Sequence, residues 1–187
     1  MKKYQIIYAD PPWKYESDRP CFEIDPITHN RGGASSKYKT MSLAQIATLP
    51  ISSITDKDCC LFLWVTFPKL QDGIEIIRTW GFDYKSCAFV WVKTNKNSMG
   101  LFWGMGRWTR SNAEICLLGT KGYPKRLDAS VHQIVMNSVQ NHSHKPDIVR
   151  NLIVQLLGDL PRIELFACKK VMGWDCWGNE VESDIEL

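Results

Sequence analysis

The sequence has no Cys-x-x-Cys pair and none of the paired Cys/His spacing of a structural zinc site. It has no signal-peptide core after Met1-Lys2-Lys3-Tyr4 and no apolar run approaching membrane-spanning length. Internal repeats and low-complexity segments are absent, and the net charge is only +3 over 187 residues. These gaps argue against a zinc module, a spanning helix and a polycation that binds nucleic acid by charge alone. No metal is expected. The odd set of seven cysteines lacks any pairing pattern and reads as reduced, buried thiols in a cytoplasmic setting. What is present is an ordinary globular composition, 44% apolar, in a length that suits one domain.

Charge is unevenly placed. Between Lys93 and Arg126 lie Lys93, Lys96, Arg107, Arg110, Lys121, Lys125 and Arg126, opposed only by Glu114. Phe102, Trp103, Trp108 and Tyr123 are interleaved with them. The stretch reads equally as a phosphate-binding and stacking surface for nucleic acid or as an interface between two copies of the chain. The segment 181–187 is acidic and is expected to fray.

Short runs, apolar almost throughout, recur at Gln5–Ala9, Cys60–Val65, Ala88–Val92, Glu114–Leu118 and Ile163–Ala167, as for strands covered on both faces. Helical patterns separate several of them. Leu70, Ile74 and Ile77 fall on one stripe between Pro68 and Trp80, and a broad stripe runs from Pro146 to Leu157. A shorter helix from Ser42 to Leu49 is capped by Ser42. The alternation predicts an α/β fold, a mostly parallel sheet flanked by helices, in a single domain over residues 1–180. Lys14–Thr40 and Thr94–Ser111 are left as long irregular stretches.

Ligands in such sheets sit beyond the carboxyl ends of strands, and one strand ends in Tyr8-Ala9-Asp10-Pro11-Pro12-Trp13. Each proline fixes φ and removes an N–H, so the turn is stiff and its carbonyls meet few competing donors. Asp10 offers a charged acceptor and Trp13 a stacking face, which together suit a flat ring bearing an amino group. The plain alternative is a proline turn over a buried tryptophan.

Further motifs follow: Ser143-His144-Lys145-Pro146-Asp147, Ile163-Glu164-Leu165-Phe166 and Gly173-Trp174-Asp175-Cys176-Trp177-Gly178-Asn179-Glu180. With Asp10–Trp13, Tyr38-Lys39-Thr40-Met41-Ser42, Leu61-Phe62-Leu63-Trp64-Val65-Thr66, Trp91-Val92-Lys93-Thr94-Asn95 and Glu114-Ile115-Cys116-Leu117, the chain resembles the S-adenosylmethionine-dependent adenine N-6 methyltransferases. That family includes the catalytic subunit of the messenger-RNA adenosine methyltransferase and many bacterial and phage relatives. The similarity runs from about Ile7 to Glu180.

The resemblance implies a Rossmann-like methyltransferase fold, S-adenosylmethionine as cofactor, and action in the cytoplasm of a bacterial or phage-infected cell. It implies catalysis at Asp10, Pro11, Pro12 and Trp13, with Tyr38 facing the target base. Asp10, Lys145, Glu164, Phe166, Asn179 and Glu180 would hold the cofactor: Lys145 at its methionine carboxylate, Glu164, Asn179 and Glu180 at its ribose and adenine end. Lys93, Arg107, Trp108 and Arg110 would contact nucleic acid. Cys168 stands where relatives often carry Arg, and only nine residues precede Asp10. Both differences imply a cofactor pocket that is more open, or completed by another subunit.

In this reading Asp10, ionised and with no need of a raised pKa, and the Pro11 carbonyl each hold one amino proton and turn the nitrogen lone pair toward the methyl group. The target base must leave the stack. DNA is the expected substrate, with RNA as the alternative. A non-catalytic nucleic-acid-binding subunit is a further class, against which the intact Asp10–Trp13 motif argues. Cytosine N-4 presents a similar amine.

Overall fold

The structure, a computed structural model, describes residues 2–15, 39–104, 108–140 and 144–187. Seven described strands form one sheet: β1 (Tyr4–Ala9), β2 (Thr55–Val65), β3 (Asp83–Thr94), β4 (Ala113–Lys121), β5 (Ile134–Ser138), β6 (Arg162–Leu165) and β7 (Asp175–Trp177). Their order across the sheet is β5-β3-β4-β2-β1-β6-β7. β1 runs parallel to β2 and β6, β6 to β7 and β3 to β5, while β4 is antiparallel to both β2 and β3. The α/β architecture and mostly parallel sheet expected from the sequence are both present.

Apolar runs become central strands because both faces of the sheet are covered. On one face Ile7, Ala9, Leu61 and Leu63 pack with α1 (Leu43–Ala47) and α2 (Leu70–Thr79). On the other, Ile6, Tyr8, Phe62 and Trp64 pack with Val149, Ile153 and Leu157 of α3 (Ile148–Leu157). The buried residues of α2 are Gly73, Ile76 and Ile77, and the expected stripe of Leu70, Ile74 and Ile77 faces the same core, with Leu70 and Ile74 partly buried. Gly73 sits where the helix is pressed against the sheet. A Cβ there would lie 2.5 Å from Val65 Cγ1, so its absence lets the helix backbone approach the sheet.

Two strands escape the sequence pattern. β5 places Ile134 and Met136 in solvent and only Val135 in the core, and β7 spans three residues. The acidic tail, expected to fray, is instead tied down. The Asp184 N–H donates to the Cys176 carbonyl at 2.8 Å, its carboxylate accepts from the Cys176 N–H at 2.9 Å, and Ile185 and Leu187 pack against the core. Lys170 adds a salt bridge to Asp184 at 3.1 Å, so acidity helps to hold the tail once the fold supplies its partners.

Ser42 caps α1 in a capping box: its hydroxyl accepts from the Gln45 N–H, and the Gln45 side chain accepts from the Ser42 N–H. Ser42→Ala is expected to cost about 1 kcal/mol, read as a lower urea midpoint with unchanged slope.

Candidate active site

The carboxyl ends of β1, β2 and β6 meet at one rim of the sheet, together with the end of β3 and the start of β4. Asp10 leaves β1 there. The turn that follows is stapled in place. The Trp13 N–H donates to the Pro11 carbonyl at 2.9 Å, the Met41 N–H to the Pro12 carbonyl at 2.8 Å and the Lys14 N–H to the Met41 carbonyl at 3.1 Å. The indole N–H of Trp13 donates to the Trp64 carbonyl at 3.1 Å. The corner is therefore stiff, yet its carbonyls are not donor-poor. Both proline carbonyls already accept a backbone N–H, leaving Pro11 its second lone pair. Trp13 is only 5% exposed. It is a fixed wall rather than an open stacking face, because its ring belongs to the core.

Beside this corner lies a cavity of roughly 730 Å³, within the range for sites that hold small molecules and cofactors. Asp10 to Trp13, Glu114 and Lys145 line its middle, and Phe166, Cys168, Trp177, Asn179 and Glu180 line one end. Tyr15, Lys39, Gln45, Leu49 and Thr66 line the rest. The Tyr15 and Thr66 hydroxyls are hydrogen-bonded at 2.7 Å.

Charge in the middle alternates. Lys145 Nζ lies 2.7 Å from Asp10 Oδ2 and 3.3 Å from Glu114 Oε2, and Lys93 Nζ lies 2.5 Å from Glu114 Oε1. Burial pushes the Asp10 carboxyl up to about 6, against the pull of Lys145. Burial also works against the Lys145 ammonium, but Asp10 and Glu114 outweigh it and raise its pKa. For Glu114, burial is outweighed by Lys145 and Lys93, which lower its pKa. The Asp10 carboxyl is raised although the mechanism does not require it, and at about 6 it is still mostly ionised at neutral pH, as expected.

At the far end, β6 turns through Phe166, which adopts φ +62°, a left-handed conformation uncommon for a bulky side chain and frequent at functional sites. Its ring meets Trp177 edge-on at 5.3 Å, and the Ala167 N–H donates to the Trp177 carbonyl at 3.0 Å. Gly178 packs against the Ala167 backbone with no room for a Cβ, so the two loops form one wall. Burial and Glu180 push the Cys168 thiol up to about 11; it is a neutral group facing the cavity.

Several expected residues fall together here: Asp10, Pro11, Pro12, Trp13, Lys145, Phe166, Asn179 and Glu180. Glu164 does not join them. Its two oxygens are held by Arg150 at 2.6 and 2.7 Å beneath the rim, and the pair is buried, so its carboxylate is spent on the core. Lys93 also departs from its expected role, since Glu114 neutralises it and Trp91 lies under it at 4.9 Å. Trp108 and Arg110 are exposed. Tyr38 and Arg107 lie outside the described residues.

The basic stretch divides because β4 is antiparallel to β2. Lys121 pairs with Cys59 at the far edge and Ile115 with Val65 at the rim. The two ends of β4 are therefore about 26 Å apart. Tyr123, next to the far end, is therefore at the opposite end of β4 from Trp108 and Arg110. Glu114, missed as a site residue, had a signal: it is the lone acid of the basic stretch and the sole charge at the head of an apolar strand.

The donor set fits S-adenosylmethionine. Lys145 would take its carboxylate, Phe166 its aromatic face, and Asn179 and Glu180 its hydroxyl and ring nitrogens. A Rossmann-like sheet with a rim cavity of this chemistry defines an S-adenosylmethionine-dependent methyltransferase. The family model MT-A70 matches residues 4–180, and the chain belongs to the MT-A70 family. It is similar to the Type II methyltransferase M.MunI of Mycoplasma sp, 38% identical over 197 residues that cover 100% of this chain and 82% of that protein. It is also similar to the N(6)-adenosine-methyltransferase catalytic subunit METTL3 of Homo sapiens, 29% identical over 97% of this chain but only 29% of that protein. The MT-A70-like protein of Drosophila melanogaster is 29% identical over 97% of this chain and 28% of its own length. No described helix is long and apolar enough to cross a membrane, and the six described cysteines are free thiols.

Proposed function

We propose that the protein transfers a methyl group to the exocyclic N-6 amine of adenine in DNA, as a single catalytic domain over residues 1–180 acting in a reducing cytoplasm. One observation carries the reading. The carboxylate of Asp10, on a stapled corner in a base-sized cavity, already grips a nitrogen at 2.7 Å.

S-adenosylmethionine supplies the electrophilic methyl group. The chain's task is alignment and charge. Asp10 accepts one amine proton and the second lone pair of the Pro11 carbonyl accepts the other, which turns the nitrogen lone pair outward. Positive charge growing on nitrogen strengthens both bonds in the transition state. Trp13, fixed by Trp64, limits how far the ring can slide. Because an adenine amine is inaccessible inside a stack, the base is flipped or single-stranded. Trp108 and Arg110 contact the strand outside the cavity, the first as a stacking platform and the second at phosphates.

DNA is chosen over RNA because similarity to the Type II methyltransferase extends along the whole chain and most of that relative, whereas the adenosine methyltransferases match over less than a third of their length. Matched DNA and RNA oligonucleotides with labelled cofactor test this. Label expected in N-6-methyladenine of DNA, identified after nucleoside digestion, would be overturned by dominant labelling of RNA or of cytosine.

The raised Asp10 carboxyl sets a pH limit. Activity requires the ionised form, so kcat/KM should fall as pH drops through about 6. Lys145→Met removes the pull that holds this value down, and its acid limb should move to higher pH. An unshifted limb in that variant would place the titration elsewhere.

A further inference from the structure

We propose that Ser183 and Asp184 are positioning residues of the cofactor site, holding Asn179 and Glu180 at the nucleoside end of S-adenosylmethionine; this rests on the cofactor placement given above. Asn179 and Glu180 line the cavity, yet both are exposed. Core packing does not fix their side chains, so the backbone that carries them must be ordered in another way.

The chain after Glu180 supplies that order by turning back on β7. At the base of the turn the Asp184 N–H donates to the Cys176 carbonyl at 2.8 Å. The Asp184 carboxylate accepts from the Cys176 N–H at 2.9 Å and from its thiol at 3.2 Å. Closer to the tip, the Ser183 hydroxyl accepts from the Gly178 N–H at 3.2 Å and donates to the Gly178 carbonyl at 3.3 Å. Asn179 and Glu180 are the first residues of the tip that these bonds close. Gly178 is held on its other side by the wall, with no room for a Cβ between it and the Ala167 carbonyl oxygen. Ile185 and Leu187 seat the returning arm on the core. Lys170 meets Asp184 at 3.1 Å, but its side chain is 49% exposed and water screens the pair. The hold is mostly hydrogen bonding to the β7 backbone. A loop closed in advance loses little freedom when a ligand binds, which raises affinity without adding a contact. Residues 181–187 lie beyond the stretch that the family model matches, and their part cannot be read from the family pattern.

The test is calorimetric titration with S-adenosylhomocysteine and with 5′-methylthioadenosine, which keeps adenine and ribose but lacks the amino-acid end. In Ser183→Ala/Asp184→Ala both ligands should bind about tenfold more weakly. KM for S-adenosylmethionine should rise by the same factor while kcat is unchanged, because Asp10 and Pro11 are untouched. Ser183→Thr/Asp184→Asn, which keeps a hydroxyl and an acceptor oxygen in place, should bind as the wild type does. A loss confined to S-adenosylhomocysteine, or a fall in kcat with KM unchanged, overturns the proposal. Wild-type affinity in the alanine variant beside a loss in Asn179→Ala overturns this inference alone. Wild-type affinity in both overturns the cofactor placement as well. If the double variant does not fold, Ser183→Ala alone, with the Asp184 bonds and the core contacts kept, carries the same comparison.

Discussion

Replacing Asp10 by alanine should lower kcat by about a thousandfold while cofactor affinity stays within about tenfold, roughly 1.4 kcal/mol. The asymmetry follows from the geometry. Asp10 is the charged acceptor at the corner, and its bond strengthens only as the amine nitrogen becomes positive. Cofactor affinity is buffered because Lys145 keeps its Glu114 contact at 3.3 Å and still presents an ammonium group to a ligand carboxylate. Asp10→Asn, which keeps one acceptor oxygen at nearly the same place, should fall between the two. Label incorporation and calorimetric titration with S-adenosylhomocysteine separate the two effects. Turnover within tenfold of wild type in Asp10→Ala would sink the mechanism.

The second large effect is on stability. Arg150 lies on α3 and Glu164 on β6, and their bidentate pair is buried against the Tyr8 ring, with the guanidinium 5.5 Å from its centroid. The Tyr8 hydroxyl in turn accepts from the Trp64 indole N–H at 2.7 Å. Arg150→Met leaves the Glu164 carboxylate without its partner in the core, which should cost roughly 3–5 kcal/mol. For a chain of this size that corresponds to a fall of roughly 6–20 °C in Tm. Adding Glu164→Leu removes the orphaned charge and should restore most of the loss. Failure of the double variant to recover would mean that the pair contributes packing rather than charge balance. Neither residue lines the cavity, so turnover per folded molecule at low temperature should be preserved in the double variant.

The central strands were legible because burial on both faces leaves no polar residue in runs such as Leu61–Val65. β5 was not, because its exposed Ile134 and Met136 break the rule that apolar side chains are inside. The stiffness of the Asp10–Trp13 corner was also legible, since two prolines after a strand end fix the backbone locally. Its hydrogen bonds were not, because the donors come from Met41 and Trp13 in a pairing that only the fold creates. The exchange between Glu114 and Glu164 shows the limit most clearly. Each is a lone acid in an apolar strand, and their roles differ because Arg150, a lone cation in the apolar stripe of α3, reaches one of them. Sequence order marks all three as unusual but does not say which two meet.

The separation of the two halves of the cavity has a consequence for how the molecule is made. Asp10 and Lys145 are 135 residues apart, and β1 must be flanked by both β2 and β6 before the corner is enclosed. Such distant pairings form slowly. A ribosome-bound chain that has not yet made β6 lacks this enclosure, and the uncovered side of β1 is open to intermolecular pairing until β6 arrives. Growth at reduced temperature and dilute refolding should therefore raise the yield of soluble protein.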